Sequence, residues 1–189
     1  ALSSAASDVY KRQHMNIERT ATVLDIGCGG GKTVDRLCSI VANGKVYGID
    51  YSELSVKSSE KLNSKNILCN KAKILQASVS DMPFDDNTFD NITAVETYYF
   101  WPDKENDVKE VFRVLKQGGT AMLLFEMLRT DDDPFKWEKV ENMLNIKSVT
   151  PQEIRSVLES AGFENINTYT KEGTTWLCAT AQKPKDDEN

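Results

Sequence analysis

Apolar and polar positions along this chain switch between two periods, one of about 3.6 residues and one of unbroken short runs. Thr22 to Ile26 (TVLDI) is a β-branched and apolar run that passes into glycines, the pattern of a buried strand entering a loop. Val34, Leu37, Cys38 and Val41 then recur at i, i+3, i+4 and i+7, one face of a helix that Asn43-Gly44 ends. KVYGID, 45–50, is a second strand, with Ser52 placed to cap a helix running to about Asn66. KILQAS, 73–78, and NITAVE, 91–96, are a third and fourth strand, separated by the loop DMPFDDNTFD. Val108, Val111, Phe112 and Leu115 repeat the helical spacing, Gly118-Gly119 stops that helix, and TAMLLFE, 120–126, is a fifth strand.

Beyond Glu126 the alternation loosens. Trp137, Val140 and Leu144 share one face of a short helical segment. TPQE, 150–153, carries a helix start, with Thr150 as cap, Pro151 at the first position and Glu153 completing a capping box. Ile154, Val157, Leu158 and Ala161 form the next helical face, which Gly162 closes. Two strands near 164–171 and 174–182 follow, joined tightly at Glu172-Gly173. Strands alternating with helices predict an α/β fold, a parallel sheet covered on both faces, and the tight final pair predicts antiparallel pairing at one edge. Ligands of such sheets bind at the carboxyl ends of the central strands. The glycine loop after the first strand lies there.

That loop, VLDIGCGGGKT (23–33), admits three ligand frames. A phosphate loop G-x-x-x-x-G-K-[ST] ending at Gly31-Lys32-Thr33 needs glycine at position 26, which is Ile26. The dinucleotide frame G-x-G-x-x-G meets Lys32 or Val34 where its third glycine belongs. The frame Asp25-x-Gly27-x-Gly29-x-Gly31 fits at every position. Glycines let a backbone approach a ligand closely, and the following helix N-terminus offers N–H groups to a carboxylate. Asp25 can face an ammonium group. Asp50, ending the second strand, can accept from both hydroxyls of a ribose, and Asp81, after the third strand, from an adenine amino group. These three acids call for a ligand with an amino acid, a ribose and an adenine but no phosphate.

VLDIGCGGG, VYGIDYSE, ASVSDMPFDDNTFD and RVLKQGGTAMLLFE, in that order and spacing, resemble the class I S-adenosylmethionine (SAM)-dependent methyltransferases, and TPQEIRSVLESAGFENI resembles their C-terminal helix and strand. Within that family the chain looks most like the small-molecule branch that includes quinone- and sterol-methylating enzymes. The resemblance covers about residues 14 to 182 and implies a single domain there. It implies a Rossmann-like, seven-stranded, mostly parallel sheet with helices on both faces and an antiparallel edge strand. It implies a loop of residues 25 to 31, Cys28 included, around the methionine part of SAM. Asp50 would hold the ribose hydroxyls and Tyr51 would stack on adenine. Ser80, Asp81 and Met82 would line the adenine pocket, with Glu96 near the methionine moiety. Tyr98, Tyr99, Phe100 and Trp101, in ETYYFWPD, would wall a pocket for an apolar acceptor, where related enzymes often carry paired histidines instead. Acceptor recognition in the family usually draws on an N-terminal helix and on an insertion after the fifth strand, here the short span from Met127 to Val149.

Methyl transfer is an in-line displacement at a sulfonium carbon, so positioning supplies much of the rate and no catalytic acid or base is assigned. His14, the only histidine, is expected to face solvent before the first strand, with a place at the cofactor mouth as the alternative. A SAM-binding or protein-interaction module without turnover is the competing function. A protein or nucleic-acid methyltransferase is a third. The net charge of -6 argues against a nucleic-acid partner, and no N/D-P-P-Y/F motif follows the fourth strand.

The 189 residues, 40% hydrophobic and 28% charged, suit one globular domain, and no apolar run approaches the roughly 20 residues that span a bilayer. Cys28, Cys38, Cys69 and Cys178 show no C-x-x-C spacing, so the expectation is free thiols in a reducing cytoplasm, without a metal site. Residues 1–13 (ALSSAASDVYKRQ) lack periodicity. Asp8 to Gln13 can be encoded by GAT GTG TAT AAG AGA CAG, which resembles the transposase end used in sequencing libraries, so this leader is expected to be non-native or disordered. KPKDDEN, 183–189, is expected to be a disordered charged tail.

Overall fold

The structure, a computed structural model, describes residues 14–185. The expected leader, 1–13, and the end of the expected tail, 186–189, lie outside the described residues. The elements are β1 (Thr22–Ile26), α1 (Lys32–Ile40), β2 (Lys45–Asp50), α2 (Glu53–Leu62), α3 (Ser64–Leu68), β3 (Ala72–Gln76) and β4 (Phe89–Val95). A 3-10 turn (Tyr98–Phe100), α4 (Lys104–Val114), β5 (Leu115–Phe125), α5 (Glu138–Leu144), α6 (Pro151–Ser160), β6 (Glu164–Thr170) and β7 (Leu177–Gln182) follow.

The strands form one sheet in the order β3-β2-β1-β4-β5-β7-β6. β3, β2, β1, β4 and β5 pair in parallel, and β7 runs antiparallel to both β5 and β6. The sheet is the mixed, mostly parallel one expected. Its reversed strand is β7, one place in from the edge, because the short return from β6 leaves no room for a parallel crossover. β1 is buried on both faces. Leu24 joins a core packed by α4 and α6, while Val23 joins a second core under α1. The chain leaves β1 toward β2 and β3 on one side, then returns to β4 on the other. The switch point therefore lies between β1 and β4, and in such sheets the ligand crevice lies outside the carboxyl ends of the strands there.

Three local expectations differ. The helix after β2 breaks at Asn63, whose fully buried side chain donates to Ser59 O and to Gly31 O, both at 3.0 Å. The inward turn of that amide ties the helix to the glycine loop. α4 ends at Val114, and Gly118-Gly119 serve a bulge at the start of β5 instead of a helix stop. Gly118 has φ +72°, and a Cβ on Gly119 would lie 2.8 Å from Lys116 O. Lys183, expected to open a disordered tail, is buried. Its ammonium donates to Asn87 Oδ1 and to Phe112 O, at the C-terminal end of α4, where a positive charge is favoured. The capping box of α6 forms as expected, with Glu153 N donating to Thr150 Oγ1 and Thr150 N to Glu153 Oε2.

Candidate functional site

Asp25, next to last in β1, is almost fully buried and accepts from the Thr93 hydroxyl at 2.6 Å. The chain then passes through Gly27, Gly29 and Gly31 with φ of +69°, +52° and +83°. The glycine frame read from the sequence therefore matches the residues held in the left-handed region. Gly27 also lies against Thr97, beyond the end of β4, where a Cβ would come within 2.2 Å of Thr97 Oγ1. Gly31 rests on α2, where a Cβ would meet Ser59 Oγ at 2.4 Å and Asn63 Nδ2 at 2.5 Å. At Gly29 and Gly30, by contrast, a Cβ would project into open space. The loop is thus packed below and open above. α1 begins at Lys32 with no side-chain cap, and Lys32 itself is exposed.

Cys28 contributes to the shape of this loop. Its N–H donates to Ile49 O, and its side chain packs into the core beneath. Burial, together with Asp25, pushes the thiol up to about 12, so it stays a neutral, unreactive S–H. Asp50, at the end of β2, links two turns. Oδ2 accepts from Gly29 N and Oδ1 from Ser52 N, both at 2.9 Å. Each carboxylate oxygen keeps a further acceptor site beyond these charge-assisted bonds. Beside it Tyr51 is 74% exposed, and its carbonyl is held by Gln76 Nε2.

The loop after β3 turns at Ser78–Asp81, which leaves Ser80 and Asp81 exposed and Met82 buried. It is clamped from α4. Met82 N donates to Glu110 Oε1, and Arg113 donates to Met82 O and Phe84 O while pairing with Glu110 and Asp86. The hydrogen bond from Arg113 is the largest of the causes holding Glu110 below the usual carboxylate range. Met82 also lines a cleft of about 470 Å³ with Tyr47, Leu75 and Phe84.

Glu96 follows β4 with φ +60° and donates its N–H to Leu124 O. Its Oε1 is buried and has no donor. The aromatic run divides at the 3-10 turn. Tyr98, Tyr99 and Trp101 pack inward around Phe125, and Tyr99 Oη accepts from Met127 N at 2.9 Å. Phe100 is the exposed ring of the four. The aromatic wall expected from Tyr98, Tyr99 and Trp101 is thus core in this structure. In the insertion, Trp137 donates to Leu128 O, whereas Phe135 and Met143 are 73% and 72% exposed. His14, expected to face solvent, does so only in part. It is half-buried and stacks on Tyr169 of β6, with ring centroids 3.9 Å apart.

Asp25, the glycine loop, Asp50, Tyr51 and Glu96 therefore meet along one crevice at the carboxyl ends of β1, β2 and β4. Thr97, Ser59, Asn63, Glu110 and Arg113, which shape its walls, carry no motif that marks them in the sequence. The open space above Gly29 and Gly30 and the donor-less Glu96 oxygen fit a ligand that lies along the loop and carries a positive or donating group at the β4 end.

Residues 24–123 match the methyltransferase-domain family, and the chain belongs to this family of methyltransferases. It is 28% identical to the uncharacterised methyltransferase YdaC of Bacillus subtilis, over 90% of this chain and 87% of that protein. It is 30% identical to the ubiquinone/menaquinone biosynthesis C-methyltransferase UbiE of Cronobacter sakazakii, over 83% of this chain and 72% of that one. A sterol 24-C-methyltransferase of Pneumocystis carinii is 28% identical, and the match spans 45% of its length. Among solved structures, the YcgJ protein of Bacillus subtilis shares the fold with a TM-score of 0.80 at 16% identity, over 96% of this chain and 99% of that one.

Proposed function

We propose that the chain transfers a methyl group from SAM to a small-molecule acceptor. The observation that carries this is the Asp25-x-Gly27-x-Gly29-x-Gly31 loop, its three glycines at positive φ, joined by hydrogen bond to Asp50 at the end of β2. When bound, SAM supplies an activated methyl on a sulfonium sulfur. The chain's own residues position it. Asp50 accepts the ribose hydroxyls on its spare acceptor sites, and Tyr51 covers the adenine face. Ser80, Asp81 and Met82 border the adenine edge, held there by Glu110 and Arg113. Asp25 and the loop, with Cys28 at its base, shape the methionine end, and Glu96 borders it.

The named quinone and sterol relatives support an apolar acceptor. Phe100 and, in the insertion, Phe135, Met143 and Leu144 are among the exposed apolar residues. Tyr98, Tyr99 and Trp101 act on that side by supporting the turn that carries Phe100. A reducing, cytoplasmic setting goes with this reading, since Cys28 and Cys38 lie buried as thiols.

Titration calorimetry with S-adenosylhomocysteine, ATP and NAD tests the reading. S-adenosylhomocysteine alone should bind. Asp50→Ala should weaken it by roughly 10- to 100-fold, the loss of hydrogen bonds to a charged group. Binding of NAD or ATP, or an Asp50→Ala variant that binds as well as the parent, would overturn it.

A further inference from the structure

Glu96 lies where a carboxylate is poorly placed. It follows β4 at the lip of the glycine loop, since the next residue, Thr97, is the one a Cβ on Gly27 would strike. A side chain at φ +60° is strained by about 1 kcal/mol or more, and such strain concentrates at working sites. Oε1 is buried without a donor. The titratable group that acts on Glu96 is an acid, Glu126 after the end of β5, and Glu96 in turn acts on Tyr99 of the 3-10 turn. Asp25 stands further down the sheet on β1, opposite Thr93. No lysine or arginine among the described residues acts on Glu96. Burial first, and the neighbouring Glu126 carboxylate second, push its carboxyl up to about 8, against the opposing pull of a hydrogen bond from the Glu126 backbone.

We propose that Glu96 is the seat for the positive charge of the cofactor and that it gives up a proton to become so, an inference that rests on the SAM reading above. Without a cation there, a neutral carboxyl avoids burying a charge beside Glu126 that no positive group offsets. An ammonium or sulfonium within about 4–6 Å reverses that balance and favours the carboxylate. The Glu96 O–H bond breaks, its electron pair stays on the carboxylate, and the proton passes to solvent. No other bond changes. Cofactor binding is therefore coupled to proton release, and raising the pH toward 8 tightens it, because less proton then has to be displaced.

The test is calorimetry at pH 7 in phosphate and in Tris, whose ionisation enthalpies differ, so that the difference in heat counts protons. A carboxyl titrating at about 8 holds about 0.9 proton at pH 7, which is the most that binding can release from it. S-adenosylhomocysteine, with its ammonium, should release a large part of this, and adenosine, which has no cation, none. Affinity for S-adenosylhomocysteine should rise between pH 6 and 8 by up to about tenfold per unit. Glu96→Gln should bind without that release and with a flat profile over the same range. Glu126→Gln, which removes the acid beside Glu96, should still bind but release less, because Glu96 then titrates lower. Equal release from Glu96→Gln and the parent would overturn the proposal, as would binding to the parent with no release. Failure of S-adenosylhomocysteine to bind the parent at all would instead overturn the cofactor reading, and this inference with it.

Discussion

Gly27 answers to two constraints, a backbone at φ +69° and a Thr97 side chain where its Cβ would go. Gly30, three residues on, has neither. Gly27→Ala should therefore destabilise the fold by about 1–3 kcal/mol, while Gly30→Ala should stay within about 0.5 kcal/mol of the parent. Urea unfolding of the two variants checks this, and equal midpoints would contradict it. The contrast also shows what was legible residue by residue. The Asp-x-Gly-x-Gly-x-Gly frame could be read because each glycine answers a local backbone need. Thr97 and Asn63 could not, because what they press on or hold lies 70 and 32 residues away in the chain. The four-ring run Tyr98–Trp101 was legible as aromatic but not as oriented. Only the 3-10 turn decides that three rings enter the core and Phe100 stays out.

Among elements, α4 does more than cover the sheet. Through Glu110 and Arg113 it holds the backbone of the loop after β3 at Met82 and Phe84. Arg113→Met keeps much of the aliphatic packing and removes the donors. It should speed amide exchange of residues 80–84 by roughly 10- to 100-fold, matching the loss of a charge-assisted hydrogen bond, with α4 still helical. Unchanged exchange in that loop would show that the clamp holds nothing. The helical faces and the capping box were legible because they repeat within a few residues. The ends of α2 and α4 were not, since an inward-turned asparagine and a glycine bulge are set by partners distant in the chain, the glycine loop for one and the paired strand for the other.

At the scale of the molecule, the strand order places the switch point, and the switch point gathers the acids. Asp25, Asp50 and Glu96 come from three neighbouring strand ends, and the alternation of strand and helix already implied that convergence. The final β6–β7 pair was equally legible from its tight connection. What stayed hidden is the electrostatic character of the β4 end, because Glu126 reaches Glu96 only once β4 and β5 are paired. The family and the fold agree on a methyltransferase, and the central claim is that the ligand lies along this crevice with its ribose on Asp50. A crystal structure with S-adenosylhomocysteine measures that directly. The account predicts both ribose hydroxyls within hydrogen-bonding distance of Asp50, adenine against Tyr51 and the loop at Ser80–Met82, and the amino-acid end between the glycine loop and Glu96. Ligand bound in the cleft lined by Tyr47, Leu75 and Phe84, or in this crevice with its ribose away from Asp50, would contradict it.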